Sequence, residues 1–83
     1  MGSTISRQAL SEHELVQLLN WEIAAYERCS GIQFTSISSA ARPDPSGCNW
    51  RDARRQSDHA LDLTERGIIR RVIAQTRREF NLG

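Results

Sequence analysis

The sequence predicts a small α+β domain in the order helix, strand, strand, helix, with the two helices packed on one face of a β-hairpin. Three observations predict it. An amphipathic run with a capping signal occupies residues 11–29, a β-branched segment at 32–37 is separated by a turn from a second alternating run, and a broad apolar stripe begins near residue 65.

Residues 1–10 carry only the isolated apolar Ile5 and Leu10 and are expected to form a flexible tail, which leaves 11–83 as the domain. Ser11 followed by Glu14 is a capping box, and Glu12 and Glu14 favour the positive end of a helix dipole. Leu15, Val16, Leu18, Leu19, Ile23, Tyr26 and Cys29 then fall on one stripe at helical spacing. The helix is expected to stop at Cys29 or Ser30, with Gly31 in the left-handed position beyond it. The run Ile32 to Ile37 is rich in β-branched and aromatic residues and roughly alternates, so it predicts a strand.

Residues 38–47 are Ser, Ala, Arg, Pro, Asp and Gly, a loop composition. Within them Asp44-Pro45-Ser46-Gly47 has the residue preferences of a type I turn. Cys48 to Ala53 is expected to be the returning strand. Ser57 or Thr64 is the expected cap of a second helix whose stripe is Ile68, Ile69, Val72, Ile73, Thr76 and Phe80, running to Arg78 or Phe80. Gly67 falls in the first turn of that helix. The predicted core is Leu15, Leu19, Ile23, Phe34, Ile69, Val72, Ile73 and Phe80.

Eighty-three residues close one core, because a chain this short hides only about 60–65% of its unfolded surface on folding. With 39% hydrophobic and 25% charged residues the chain lies well outside the disordered regime. No apolar run approaches the roughly 20 residues that span a bilayer, and no signal-peptide core opens the sequence, so a bacterial-type cytoplasm and no membrane partner are expected. In that compartment Cys29 and Cys48 are expected to be free thiols. A two-stranded sheet leaves unpaired edges, so a homodimer built by edge pairing between two copies is one mode of association the sequence allows, beside contact with an unknown protein partner.

Gly47-Cys48-Asn49-Trp50 is the most chemically loaded segment. Its structural role would be a turn closed by Gly47, with Cys48 and Trp50 facing the core and Asn49 holding loop backbone. The functional alternatives are a ligand contact or a nucleophilic Cys48, which would need a nearby His59, Arg51 or helix N-terminus to lower its thiol pKa. Cys29, Cys48, His13 and His59 lack the pairwise spacing of zinc ligands, and no metal or cofactor is expected. Glu22 falls between Leu15, Leu18 and Tyr26 rather than on the polar face, so it is expected either to pair with an Arg or to act as a titrating carboxyl. Trp21 lies outside the main stripe, as a recognition aromatic or packed beneath the 38–47 loop.

All eleven basic residues are Arg, and the net charge is only +1. The charge is uneven, with the first fifty residues net −2 and the remainder net +3. Arg66, Arg70 and Arg77 flank one side of the second stripe and Arg71 and Arg78 the other, with Arg51, Arg54 and Arg55 nearby in sequence. These arginines either pair with Glu65, Glu79 and the acidic first helix, or contact phosphates with Trp50 or Trp21 as a stacking surface. The weak net charge favours the former.

The segment from Leu15-Leu18-Leu19-Asn20 through Phe34-Thr35, Asp44-Pro45-Ser46-Gly47-Cys48-Asn49-Trp50 and Phe80-Asn81-Leu82 resembles a group of short, uncharacterised proteobacterial proteins. The resemblance spans residues 12–82 and carries no function with it. Those proteins often have further cysteines after the Trp, where this chain has Arg54 and Arg55, so no shared metal or redox role is implied. The function expected from the sequence is a small non-enzymatic binding or regulatory module, acting through a protein partner or through self-association. Nucleic-acid contact through the arginine-rich helix is the second expectation, and thiol chemistry at Cys48 the third.

Overall fold

The computed structural model describes residues 7–83, so residues 1–6 of the expected tail lie outside the described residues. The chain folds as a short strand β1 (Gln8–Leu10), helix α1 (Glu12–Ile23), a 3-10 turn (Glu27–Cys29), strands β2 (Ile32–Ser39) and β3 (Trp50–Ser57), helix α2 (Leu63–Glu79) and a final strand β4 (Phe80–Leu82). Strands β2 and β3 form an antiparallel hairpin on which the helices pack, while β1 and β4 form a separate parallel pair. This is the predicted α+β domain with one addition. Residues 8–10 are paired strand rather than tail, in register Gln8 with Phe80 and Leu10 with Leu82.

Helix α1 starts where its capping box places it, with the Ser11 hydroxyl accepting from Glu14 N–H and the Glu14 carboxylate accepting from Ser11 N–H at 2.9 Å. It buries Leu15, Leu19 and Ile23 completely, each worth about 1.5–3 kcal/mol. It ends at Ile23, six residues before the expected stop. Tyr26 turns extended, and the 3-10 turn that follows carries Cys29 into the core. Gly31 consequently is not the left-handed helix stop; its missing side chain makes room for the Asp58 carboxylate, against which any Cβ would collide.

Both hairpin strands contain a register shift, one between Phe34 and Ser36 and one that leaves Arg51 bulged opposite Ser38 and Ser39. Each bulge resets the two-residue alternation. Phe34 and Ile37 therefore both pack on the core although three residues apart, and so do Trp50 and Ala53. Strand β3 runs from Trp50 to Ser57, shifted toward the polar Arg54-Arg55-Gln56 stretch relative to the predicted 48–53.

Asp62, not Ser57 or Thr64, caps α2: its carboxylate accepts from Glu65 N–H at 2.8 Å, and the Glu65 carboxylate accepts from Asp62 N–H at 3.0 Å. The predicted core is buried except Phe80, which is half-buried because it lies past the helix end and begins β4. Cys29, Ile32, Cys48, Trp50, Ala53, Glu65 and Thr76 join it.

With α2 beginning at Leu63, Gly67 lies in the second turn, and a Cβ there would meet nothing within 4 Å. Neither close packing nor a special φ requires glycine at this position. Gly67→Ala is expected to stabilise the fold by about 0.5–1 kcal/mol and raise the thermal midpoint by a few degrees. A lowered midpoint in a calorimetric scan would contradict the packing described.

Candidate functional site

The Asp44 to Trp50 loop is organised by one carboxylate. Gly47 N–H donates to the Asp44 carbonyl at 2.8 Å, closing the predicted turn, and Gly47 adopts a φ of +90°, where only glycine is unstrained. Asp44 Oδ1 accepts from Ser46 N–H at 2.9 Å, from the Ser46 hydroxyl at 2.5 Å and from Cys48 N–H at 3.1 Å. Asp44 Oδ2 accepts from Arg77 Nη2 at 2.6 Å. These donors, the Ser46 hydroxyl foremost, hold its carboxyl down to about 2.

The polar side-chain groups of Cys48, Asn49 and Trp50 are all spent on backbone. The Asn49 amide donates to Leu82 C=O and accepts from Leu82 N–H, both at 2.7 Å, so its side chain pairs with β4 as a strand would. Trp50 Nε1 donates to Phe80 C=O at 3.0 Å, and Asn81 Nδ2 donates to Gly47 C=O at 3.1 Å. Arg7 donates to Asn81 Oδ1 and to the carbonyls of Arg77, Arg78 and Phe80, placing a guanidinium at the negative end of α2. Cys48 is 1% exposed, and its thiol donates to Trp50 C=O at 3.4 Å. Both ring nitrogens of His59 are held by Asp58 and Glu65, away from this thiol.

Among the described residues Glu22 pairs with no arginine. Its carboxylate accepts from the buried Thr76 hydroxyl at 2.7 Å, a contact between α1 and α2 in place of the expected ion pair. Trp21 is 76% exposed, as a recognition aromatic would be, and does not pack beneath the loop. Trp50 is fully buried and offers no stacking surface.

The arginines divide. Arg66, Arg70 and Arg77 of α2 line a groove with Arg51 and Arg55 of β3, whereas Arg71 and Arg78 lie outside it. The groove holds about 610 Å³ and has an apolar floor of Leu61, Ile69, Ile73 and Ala74. It exists because α2 rests on α1 and touches β3 only sparingly. The expected neutralisation of these arginines by Glu65, Glu79 and α1 does not occur among the described residues. Arg77 pairs with Asp44 and Arg55 with Asp52, while Arg51, Arg66 and Arg70 make no ion pair. Glu65 instead faces His59, and Glu12 accepts from Ile37 N–H at 2.9 Å. This groove is the candidate functional site. Sequence spacing grouped its α2 members correctly, but the β3 members depend on the Arg51 bulge and the helix crossing.

Side chains also cover the hairpin edges. The Asn20 amide pairs with both Phe34 N–H and Phe34 C=O, Asp52 accepts from Ala53 N–H, and Arg55 and Arg77 donate to the carbonyls of Ala53 and Trp50. These bonds take up part of the edge backbone on which edge pairing would rest.

Comparison of the chain with protein-family models, with curated proteins and with solved structures finds no match, so the roles of these residues follow from their contacts alone.

One cluster was not foreseen as a unit. His59 bridges two carboxylates, Nδ1 to Asp58 at 2.5 Å and Nε2 to Glu65 at 2.6 Å, and the Glu65 side chain is nearly buried. The imidazolium donates to both, whereas neutral imidazole donates to one and turns a lone pair on the other. The Asp58 bond first, then the Glu65 bond, raise the His59 pKa; the His59 contact lowers that of Asp58, and Glu65 is lowered first by the Asp62 N–H it accepts from and then by His59. Asp62, paired to Arg28 at 3.1 Å, and the buried Cys29 complete the surroundings, and burial followed by these carboxylates pushes the Cys29 thiol up. Because the folded His59 pKa lies above its unfolded value, its stabilisation is complete below about pH 6.5 and is lost as pH rises through the folded value. The thermal midpoint is expected to fall as pH rises above about 6.5, and His59→Gln should flatten that slope. An identical slope in the variant would exclude this bridge as its cause.

Proposed function

We propose that this chain is a small non-enzymatic binding module that holds an acidic, partly apolar segment of a protein partner in the groove between β3 and α2. One observation carries the proposal: Arg51, Arg66 and Arg70 surround an apolar floor and make no ion pair among the described residues. Guanidinium forks match carboxylates bidentately, and Leu61, Ile69, Ile73 and Ala74 offer apolar contact between them. A nucleic-acid backbone would use the same cations, but the groove has no aromatic side chain for a base to stack on. An acidic amphipathic peptide uses both the rim and the floor. The cytoplasm is the proposed compartment, where the two buried thiols would stay reduced; among the described residues no helix is long and apolar enough to cross a membrane.

The test is a fluorescence-anisotropy titration with three labelled probes: an amphipathic Glu/Leu peptide of about twelve residues, the span from Arg66 to Arg77, a poly-glutamate of equal length, and a short duplex DNA. The amphipathic peptide is expected to bind in the range of about 10–100 μM at physiological salt and tighter than both others. The exposed double substitution Arg66→Glu with Arg70→Glu should abolish the signal without changing the circular dichroism. Preferential DNA binding with a steep salt dependence would transfer the site to nucleic acid. No binding by any probe would remove the groove from consideration.

A further inference from the structure

The segment joining β3 to α2 supplies part of the arginine groove: Leu61 lies in its floor, and Arg66, the residue after Glu65, lies in its rim. Backbone bonds do little to hold that segment. Asp58 N–H donates to Gly31 C=O at 3.2 Å, and Asp62 opens the capping box of α2. Between them, among the described residues, the N–H groups of His59, Ala60 and Leu61 donate to no backbone carbonyl. The His59 side chain crosses the gap instead, meeting Asp58 at 2.5 Å through Nδ1 and Glu65 at 2.6 Å through Nε2. Both ends of this bridge are anchored. The Asp58 carboxylate fills the space that Gly31 leaves beside it, and the nearly buried Glu65 carboxylate spends its other oxygen on Asp62 N–H at 3.0 Å.

Such a bridge needs a proton. The imidazolium has an N–H donor for each carboxylate, whereas neutral imidazole has one donor and turns a lone pair on the other acceptor. Desolvation decides which bond survives. Glu65 is nearly buried and cannot exchange its donor for water, so it keeps Nε2–H, and the exposed Asp58 is released. No neighbour takes over the lost contact. Arg28 of the 3-10 turn is held by Asp62 at 3.1 Å, and the buried Cys29 thiol, pushed up first by burial and then by Glu65 and Asp62, stays neutral.

We infer that His59 is a proton-operated latch on the arginine groove: protonated, it ties the end of β3 to the first turn of α2 and keeps Leu61 in the groove floor; neutral, it releases Asp58 and loosens that floor. A ligand that uses the floor then binds more tightly at low pH and, by linkage, strengthens proton binding at His59 in return. This regulation of binding rests on the groove reading proposed above; the latch itself does not.

Methyl and imidazole NMR of the free chain from about pH 5.5 to 8.5 tests the latch without any ligand. The Leu61 methyl shifts are expected to titrate with the same midpoint as the His59 ring, and to stay flat in His59→Gln. In Asp58→Asn the new amide donates to the Nδ1 lone pair while Nε2–H serves Glu65, so neutral imidazole completes the bridge and Leu61 should again stay flat. Should His59→Gln unfold, Asp58→Asn decides. The amphipathic Glu/Leu peptide is expected to bind the wild-type chain about fivefold more tightly at the acid end of the range, and either variant about equally at both ends. Leu61 methyls that ignore the His59 titration, or that move as far in Asp58→Asn, would overturn the latch. Peptide binding of equal strength at both ends would overturn the regulation while leaving the groove's ligand in place. Absence of binding at both ends would remove that ligand and the regulation with it, and the Leu61 methyls would still decide the latch.

Discussion

The end of α2 sets the terms for the rest of the structure. A helix leaves its last carbonyls without partners, and three-residue strands such as β1 and β4 cannot satisfy one another alone. Here a clasp of side chains closes that deficit. Arg7 reaches the carbonyls of Arg77, Arg78 and Phe80, the Trp50 indole reaches Phe80, and the Asn49 amide pairs with Leu82 in both directions. Arg77 ties the same turn to Asp44 and to Trp50 C=O, which fixes the loop whose Gly47 makes the clasp geometrically possible. The residues that look most reactive in the sequence are the ones consumed in this way.

That consumption explains what the sequence could and could not disclose. Local signals were legible: the Ser11 and Glu14 box, the Leu15, Leu19 and Ile23 stripe, and the Asp44 to Gly47 turn each depend on side chains a few residues apart. The Arg77 contact to Asp44 and the Arg7 contact to Asn81 join residues far apart in the chain, and no spacing announces them. Strands β1 and β4 are too short for a period of two to register, so residues 8–10 looked like a tail and Phe80 like helix. Cys29 extended the α1 stripe convincingly, yet it reaches the core through a 3-10 turn after α1 has ended. Asp62 was hidden as a cap because Ser57 and Thr64 competed for the same role. The groove was half legible, since the α2 spacing grouped Arg66, Arg70 and Arg77 while only the fold adds Arg51 and Arg55.

Charge is then distributed by what the clasp leaves over. Arg7 and Arg77 are tied to carbonyls and to Asp44, whereas Arg51, Arg66 and Arg70 face solvent around apolar floor residues. Across α2, Glu22 is the one charged side chain lining the depression beside Trp21, and its carboxylate accepts from the Thr76 hydroxyl. One helix therefore separates an arginine-lined groove from a mainly apolar depression. Asn20, Asp52 and Arg55 take up part of the backbone along the hairpin edges.

Amide hydrogen exchange on the native chain, resolved residue by residue, tests most directly whether the clasp is integral to the fold. Leu82 N–H donates to the Asn49 side chain and Gly83 N–H to Leu10 C=O, so both should exchange only as slowly as Leu19 in α1, through global opening. Exchange of Leu82 and Gly83 at the rate of an unprotected chain, while α1 remains protected, would contradict the account.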